Sequence, residues 1–336
     1  MILKGSSNQR SSGGYSLKTR GNDMYRHQKK TSQAEETETG KVKMSGKVCM
    51  VTGANSGLGY EISLTLANMG AIVVMICRNS NKGEEARKRM SAAAGNESIE
   101  LIVADLSSQE SIRELVGHFK SRHQKLHVLV NNAGHMIWNR QETVDGLEVT
   151  FAVNHLAPFL LTNLLLGPLQ KAAETDGEGR VVNISSSAQR MGRINLDDLQ
   201  STKKYRIMGA YAASKLALVI TSKEFAHRLQ GAGITVNCVG PGNVRTAFNS
   251  KAGGLSGIIN TFPLSRWLIQ NILEKPVAEA ALTPIYLATS PELKGCTGLF
   301  YGDYRQPETP SRQVNNRELT RQLWDISARL TGIPAS

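Results

Sequence analysis

The chain has 336 residues, of which 40% are hydrophobic, and this is ample for one large hydrophobic core or two small ones. Its formal net charge at pH 7 is +12, but half of that excess lies in residues 1–47, so the remainder is mildly basic and indicates no specific nucleic-acid partner. No run of roughly 18 apolar residues occurs, which argues against a transmembrane helix.

The first 44 residues are rich in Ser, Gly, Asn, Gln, Lys and Arg and show no apolar periodicity. This composition predicts a disordered basic extension over residues 1–44, followed by one folded domain over residues 45–336. Residues 1–34 carry few acids, as organelle transit peptides do, so organelle targeting stays open as the alternative to a cytoplasmic location. The extension also suits contact with RNA or anionic lipid, although a solvated tail is the favoured interpretation.

A glycine-rich turn follows the first apolar run of the folded part. Residues 47–59 read KVCMVTGANSGLG, which is a short apolar run, a turn with Gly53, Gly57 and Gly59, and the start of a helical pattern. Glycine lets the backbone approach a pyrophosphate, and the N–H groups at a helix N-terminus favour an anion. The stretch therefore predicts a phosphate cradle, with a plain strand, turn and helix as the alternative.

Apolar strand-like runs and helical patterns alternate along the rest of the chain. Such alternation predicts a parallel sheet that is covered on both faces and doubly wound through right-handed crossovers. We therefore expect an α/β fold with a single Rossmann-type sheet of about seven strands. Strands are expected at 48–51, 71–77, 99–104, 126–130, 180–184 and 234–239, and helices after residue 59 and at 81–93, 107–121, 145–166, 209–230 and 317–330.

The four cysteines are Cys49, Cys77, Cys238 and Cys296, and they show no C-x-x-C spacing. The first three lie in or beside apolar strand-like runs. We interpret them as small buried residues in a reducing compartment, so neither a disulfide nor a metal site is expected.

Two polar residues follow predicted strands at the edge where ligands bind in such sheets. Arg78 follows the second strand, where an acid would bind the adenosine 2′-hydroxyl of NAD, whereas an arginine suits the 2′-phosphate of NADP. Asp105 follows the third strand and would accept a hydrogen bond from the adenine amino group, with a helix N-cap as an equal alternative. NADP(H) is thus favoured over NAD(H). The alternative is that Arg78 is an ordinary solvated surface residue with no ligand.

A tyrosine and a lysine lie four residues apart within the predicted helix 209–230, so the Tyr211 phenol and the Lys215 ammonium share one face. A phenol with a pKa of about 10 is a poor acid–base group at neutral pH, but a nearby ammonium and a cationic nicotinamide ring lower that pKa. An ordinary surface pair is the alternative. Ser186, at the end of the fifth strand, has a hydroxyl suited to a substrate carbonyl oxygen, and Ser185 and Ser187 stay open as alternatives.

Several segments resemble the short-chain dehydrogenase/reductase family in their order and spacing, namely TGANSGLG, NNAG, FAVNHL, the Ser186 segment, YAASK and PGNVRT. The resemblance covers residues 46 to about 332. Within the family the chain looks closest to the retinol dehydrogenase-like and WW-domain oxidoreductase-like branch. The segments CRN, DGLEVTFAVNHL, DLQ-x-x-x-x-Y and LWDISARLTGI suggest this branch.

The resemblance implies a role for each matching residue. Tyr211 would be the general acid–base, and Lys215 would lower its pKa and hold the nicotinamide ribose. Ser186 would polarise the substrate carbonyl, and Asn154 would complete a water relay to Lys215. The residues implied to bind NADP(H) are Gly53, Asn55, Ser56, Gly57, Leu58, Gly59, Arg78, Asp105, Leu106, Asn132, Ala133, Gly134, Tyr211, Lys215, Pro241, Gly242, Val244 and Thr246.

One departure from the family pattern concerns Ala157 and Pro158, where membrane-bound relatives tend to have Gly-His. Because proline has no backbone N–H, the helical hydrogen bond to the carbonyl of Asn154 is lost. We hypothesise that Pro158 kinks this helix and exposes that carbonyl, the group that binds the relay water in the family.

The apolar segment 248–273 corresponds to the region that caps the substrate in the family. With His135, Met136, Ile137 and Trp138 in the facing loop, it predicts a small lipophilic alcohol or carbonyl as substrate. Packing of these residues on the sheet, or against a second subunit in a homodimer, is one alternative. Peripheral contact of residues 254–273 with a membrane is another.

The sequence thus predicts an NADP(H)-dependent oxidoreductase that interconverts an alcohol and a carbonyl on a retinoid-, steroid- or lipid-aldehyde-like substrate. One alternative is a tetrapyrrole reductase similar to protochlorophyllide reductase, although that branch usually carries an insertion near the catalytic helix and none is found here. Another is a cofactor-sensing scaffold that recruits a partner with the basic extension. The complete set of Ser, Tyr, Lys and Asn argues against a scaffold, which has no chemical need for all four.

Overall fold

The computed structural model describes residues 42–242 and 276–334, so the extension predicted for residues 1–44 lies almost entirely outside the described part. The folded unit begins at Lys43. Its centre is a seven-stranded sheet in which all neighbouring strands are parallel, and this confirms the predicted doubly wound α/β class. The strands are β1 Val48–Thr52, β2 Ile72–Cys77, β3 Ile99–Val103, β4 Val128–Asn131, β5 Gly179–Ile184, β6 Ile234–Val239 and β7 Phe300–Tyr301.

The order of the strands places the expected site. It is β3-β2-β1-β4-β5-β6-β7, so the chain starts in the middle, moves outward to β3 and returns across β1 to β4. In β1, Met50 pairs with Val74 of β2 on one side and with Leu129 of β4 on the other. Ligands bind outside the carboxyl ends of the strands where the order reverses, which is the crevice between the segments that follow β1 and β4.

Helices connect the strands and pack against the sheet. Their apolar stripes are buried on it, and polar faces such as that of residues 80–94 remain exposed. The helices are α1 Gly57–Asn68, α2 Ser80–Ala94, α3 Gln109–Arg122, α4 Val149–Phe151, α5 Ala157–Leu164, α6 Leu166–Asp176, α7 Ile207–Arg228, α8 Val277–Thr289 and α9 Arg317–Thr331.

The single helix predicted at 145–166 is wrong in its start and in its continuity. The structure begins it with α4 at Val149, passes through a π-helical turn at Ala152–Leu156 and continues as α5. Pro158 lies in the first turn of α5, directly after the π-helical turn, where its missing N–H disturbs the regular ladder of hydrogen bonds. Whether the carbonyl of Asn154 is exposed, as hypothesised, stays a prediction.

Three elements were not predicted, namely α6, α8 and β7. The helix axis turns by 55° between α5 and α6, and Pro168 in the first turn of α6 obscures its helical pattern. α8 has Pro284 inside the helix, and β7 has only two residues, which is too short to show an alternation.

An aromatic cluster anchors the C-terminal helix α9 on the long helices. The Trp324 ring lies 4.8 Å from Phe159 of α5 and 4.7 Å from Phe225 of α7, measured between ring centroids, and both contacts are edge-on. The Arg228 guanidinium carbon lies 4.1 Å from the centre of the Trp324 ring. This packing fixes the end of α7 that is remote from Tyr211.

All four cysteines are free, and Cys49, Cys77 and Cys238 are buried. Burial raises the pKa of Cys49 and Cys238 to about 12 and that of Cys77 to about 11, so these groups remain unreactive thiols at neutral pH. Their expected role as small core residues is confirmed.

In the described ranges, no single helix has both the length and the apolar character needed to cross a bilayer. The bent pair Val149–Leu164 and Leu166–Asp176 meets that test only when its two parts are counted together.

Candidate active site

A cleft of about 1400 Å³ opens along the carboxyl edge of the sheet. The segments that follow β1 to β6 all contribute to its lining, as expected for a ligand site in a doubly wound fold. Ser186 lines it as well. The residues predicted to bind the cofactor that line the cleft are Gly53, Asn55, Ser56, Gly57, Leu58, Gly59, Arg78, Asp105, Leu106, Asn132, Ala133, Gly134, Tyr211, Lys215, Pro241 and Gly242.

Three predicted features fall outside the described residues. They are Val244, Thr246 and the apolar segment 248–273. Next to them, Gly242 has φ +75°, and a Cβ on this residue would lie 2.6 Å from both carboxylate oxygens of Asp303. Position 242 therefore requires glycine, both for its positive φ and for the lack of space for a Cβ.

The glycine turn after β1 is packed so closely that one position admits no side chain. A Cβ on Gly59 would lie 2.4 Å from the carbonyl oxygen of Gly53 and 2.4 Å from the Asn132 side-chain nitrogen. α1 starts at Gly57 with no acid in its first turn, and its N-cap Ser56 makes no side-chain hydrogen bond to that turn within the described residues. A glycine cradle against the N-terminus of a twelve-residue helix fits a pyrophosphate.

A threonine that the sequence prediction missed ties this turn to the segment after β4. Thr52 Oγ1 accepts hydrogen bonds from the backbone N–H of Asn132 at 2.9 Å and of Ala133 at 3.0 Å. In return, Asn132 Nδ2 donates to the carbonyl of Thr52 at 2.8 Å. In the sequence, the only indication of this role is that Thr52 directly precedes Gly53, the first glycine of the turn. The contacts hold both walls of the cleft together where the strand order reverses.

Arg78 and Asp105 lie where the sequence predicted, at the ends of β2 and β3 on the cleft. Arg78 is exposed, so its guanidinium is accessible to a ligand. The alternative role of Asp105 as a helix N-cap is wrong, because Ser108 caps α3 by accepting from the N–H of Ser111. Asp105 Oδ1 instead accepts from the N–H and the hydroxyl of Ser107, at 2.9 Å and 2.7 Å.

The structure separates the three serines after β5. Ser185 is buried and its hydroxyl donates to the carbonyl of Lys215 at 3.1 Å. Ser187 is exposed. Ser186 makes a side-chain hydrogen bond with Tyr211. Of the three serines, Ser186 is therefore the one whose hydroxyl is hydrogen-bonded to Tyr211 on the cleft.

Tyr211 and Lys215 share one face of α7, as their spacing predicts, and both line the cleft. The ammonium of Lys215 lies 5.9 Å from the centroid of the Tyr211 ring and donates to the carbonyl of Ile184 at 2.9 Å. Burial lowers the pKa of Lys215 to about 8. Burial raises the pKa of Tyr211, and the hydrogen bond with Ser186 partly opposes that rise. Without a bound cofactor, Tyr211 is therefore a phenol at neutral pH.

Asn154 is fully buried in the π-helical turn, and its side chain faces the segment after β4. Its Oδ1 accepts from the backbone N–H of His135 at 2.6 Å, and its Nδ2 donates to the carbonyl of His135 at 2.8 Å and to Ser214 Oγ at 3.0 Å. The side chain therefore positions the cleft lining and the helix that carries Lys215.

The end of the cleft beyond Gly134 presents apolar side chains among polar ones such as Asn139 and Gln141. His135, Met136, Ile137 and Trp138 line it, as predicted for the facing loop. Large exposed apolar side chains continue this surface at the mouth, where Val144 is 87% exposed and Met191 is 68% exposed. Exposed apolar groups around a cleft are a frequent mark of a ligand site.

Comparisons with known proteins agree with this geometry. Residues 47–254 match the family described as short chain dehydrogenase. The chain is 38% identical over 298 residues to retinol dehydrogenase 13 of Homo sapiens, covering 88% of this chain and 87% of the relative. It is 38% identical over 298 residues to retinol dehydrogenase 11 of Mus musculus, covering 88% and 90%. A Pseudomonas aeruginosa RhlG/NADP active-site complex is similar with a TM-score of 0.62 and 26% identity, over 77% of this chain and 95% of that chain.

Proposed function

Because this chain belongs to the short-chain dehydrogenase family, we propose that it reduces a lipophilic carbonyl with NADPH, or oxidises the matching alcohol, with Tyr211 as the acid–base. Family membership makes the protein an oxidoreductase of alcohol and carbonyl groups that uses a nicotinamide cofactor. The observation that supports the proposed acid–base mechanism is that Ser186, Tyr211 and Lys215 line the same cleft as the glycine turn after β1.

In the proposed reaction Tyr211 donates its phenolic proton to the substrate oxygen during reduction and accepts a proton during oxidation. Its raised pKa keeps the phenol protonated at neutral pH, which suits reduction, so alcohol oxidation is expected to speed up as the pH rises. Ser186, already hydrogen-bonded to Tyr211, donates to the same substrate oxygen and stabilises its developing charge. When bound, the nicotinamide supplies the hydride for reduction.

Lys215 is proposed to stabilise the phenolate and to hold the ribose next to the nicotinamide. Only one acceptor for its ammonium, the carbonyl of Ile184, is found within the described residues, although an ammonium has three N–H donors. The remaining donors suit ribose hydroxyls and a relay water on the backbone carbonyl of Asn154. Reprotonation of Tyr211 would then run from solvent through that water and Lys215.

The preference for NADP(H) is supported by Arg78, whose guanidinium is exposed at the end of β2 and suits a 2′-phosphate. We expect Arg78→Ala to lower kcat/KM for NADPH by about tenfold to hundredfold, the equivalent of one charged hydrogen bond, and to spare NADH. Initial rates with both cofactors measure this, with the exposed Arg122→Ala on α3 as a matched control. An equal loss with both cofactors would count against a 2′-phosphate contact.

The proposed substrate class is supported by the similarity of the chain to retinol dehydrogenases 13 and 11 and by the apolar residues around Trp138 that line the cleft. The test is turnover of NADPH by the purified protein with retinal, a steroid ketone, straight-chain aldehydes and a tetrapyrrole. Activity that increases with the apolar size of the substrate is expected. Turnover confined to a tetrapyrrole would favour the protochlorophyllide reductase-like alternative, and NADPH binding without turnover of any substrate would favour the cofactor-sensing scaffold.

A further inference from the structure

The substrate end of the cleft is bordered by an irregular stretch of chain. We call residues 136–144 the cleft wall, because Met136, Ile137, Trp138 and Val144 all line the cleft. This wall contains no helix or strand, and its regular pairing is a single antiparallel bridge between Glu142 and Glu148. Irregular backbone must be held by other groups, since its polar atoms lack the ladder of a sheet or helix.

The segment before α7 supplies that support through the side chain of Tyr205 and through the backbone carbonyl and side chain of Gln200, the latter acting on Glu148, the bridge partner of Glu142. The hydroxyl of Tyr205 donates to the carbonyl of Ile137 at 2.8 Å and lies 3.4 Å from the hydroxyl of Thr150. Gln200 Oε1 accepts from the backbone N–H of Glu148 at 2.7 Å. The carbonyl of Gln200 also accepts from Arg140 Nε at 2.9 Å. Together Gln200 and Tyr205 form what we call the latch.

The latch is itself built on a fixed turn. The carboxylate of Asp198 accepts from the N–H and the hydroxyl of Thr202, at 2.7 Å and 2.8 Å, and from the N–H of Lys203 at 3.2 Å. Burial raises the pKa of Tyr205, so its hydroxyl stays a donor at neutral pH. Tyr205 lies directly before Arg206, the N-cap of α7, and α7 carries Tyr211. The wall is therefore hydrogen-bonded to the same stretch that starts the helix of the acid–base.

We propose that Gln200 and Tyr205 are positioning residues that fix the distance between the cleft wall and α7, and thereby decide how well the apolar tail of a substrate is held. This inference rests on the proposed function. In the proposed function the carbonyl end of the substrate is placed by Ser186 and Tyr211, and the hydrogen bonds of the latch described above involve neither of them. Loosening the wall should therefore weaken binding of a long tail and leave the chemistry of a short substrate unchanged.

The sharpest variant is Tyr205→Phe, which removes one oxygen atom and keeps the ring. Gln200→Ala is the second variant. It removes the side-chain bond to Glu148, the bridge partner of Glu142 in the wall, and keeps the backbone carbonyl that accepts from Arg140. Tyr286→Phe is the matched control, because its hydroxyl pairs with Glu292 on the surface and lies outside the cleft. The first readout is hydrogen–deuterium exchange of a peptide that covers residues 136–144, in the protein without cofactor or substrate.

The second readout is kcat and KM with NADPH for propanal and for decanal. For both latch variants we expect faster exchange of the wall and a KM for decanal raised about tenfold, as for one lost, partly buried hydrogen bond. The values for propanal should stay within about twofold of those of the unmodified protein. Tyr286→Phe should change neither readout. Equal losses for the two aldehydes would indicate a general structural defect and overturn the inference.

Unchanged exchange of the wall in both variants would also overturn it. Because the exchange measurement requires no turnover, it tests the latch separately from the proposed reaction. If the unmodified protein reduces neither aldehyde, the proposed function fails on its own. The tail-holding role is then read from protection of the wall by decanol. Equal protection in the unmodified protein and in Tyr205→Phe contradicts that role, and weaker protection in the variant supports it.

Discussion

Two cations are buried at opposite ends of strand β5, and their surroundings differ. Near the amino end, Arg180 donates to the carbonyls of Leu287 at 3.1 Å and Ser290 at 2.7 Å and forms an ion pair with Glu178. At the carboxyl end, Lys215 donates to the carbonyl of Ile184, and burial lowers its pKa to about 8. Arg180 is paired inside the protein, whereas Lys215 lines an open cleft.

Under the proposed function, this difference distinguishes a charge that stabilises the fold, Arg180, from a charge that binds a ligand, Lys215. A buried cation that is matched by an acid and by carbonyls contributes to the fold, and removing it leaves partners unsatisfied. A buried cation with a lowered pKa that lines a cleft decreases the free energy of unfolding. Such a group is expected where a bound ligand provides the hydrogen-bond partners that the protein does not. Substitutions at the two positions should therefore have opposite effects on stability and on activity.

The largest expected effect is the loss of activity in Lys215→Met. We expect kcat to fall by about 10²- to 10⁴-fold, because the phenolate of Tyr211 loses the charge that stabilises it. The free energy of unfolding at pH 7 should not decrease, since a buried cation with a pKa of about 8 is unfavourable in the folded state. Steady-state kinetics and urea unfolding measure the two quantities. A kcat within tenfold of the unmodified protein would contradict this assignment.

Arg180→Met should show the reverse pattern. Removing the guanidinium leaves Glu178 and two carbonyls without their donor, so we expect a loss of about 3–5 kcal/mol in the free energy of unfolding. The kcat of the molecules that remain folded should be unchanged. The exposed Arg122→Met serves as the control in urea unfolding. A fall in kcat as large as that of Lys215→Met would remove the distinction between the two ends of the strand.

His155 is a third buried basic group, and it should make the free energy of unfolding depend on pH. Its Nε2 faces Ser327 Oγ at 2.8 Å, its Nδ1 has no partner in the described part of the chain, and burial lowers its pKa to about 3. The unfolded chain binds a proton below about pH 6.5 and the folded state does not, so stability is lost as the pH falls from there toward 3.

At pH 5 this loss amounts to about 2 kcal/mol relative to pH 7.5. The variant His155→Gln should therefore lose less stability between these two pH values than the unmodified protein. Urea unfolding at both pH values checks this, with the exposed His118→Gln as the control. The same loss on acidification in His155→Gln and in the unmodified protein would show that His155 is not the group responsible.

Local patterns predicted much of the fold and the centre of the site. The predicted strand 234–239 coincides with β6, because a continuous apolar run between turns is a local signal. Tyr211 and Lys215 share a helix face because their spacing alone sets that geometry. The glycine turn, Arg78 and Asp105 reach one cleft because parallel strands bring their carboxyl ends to one edge.

The rest depends on contacts between distant parts of the chain. Local spacing does not predict that Gln200 accepts a hydrogen bond from the N–H of Glu148. Nor does it predict that Ser186, rather than Ser185, is hydrogen-bonded to Tyr211. The N-cap of α3 shows the same limit at short range, since Asp105 and Ser108 are both good cap residues and the structure selects Ser108.

The most direct test of the account is Tyr211→Phe, examined for binding and for turnover in one preparation. A fluorescence titration with NADPH should give a Kd within about twofold of the unmodified protein, because the cradle around Gly59 is untouched. Turnover of a lipophilic aldehyde should fall by about 10²- to 10⁴-fold. A variant that binds NADPH normally and still reduces the aldehyde at the unmodified rate would contradict the account.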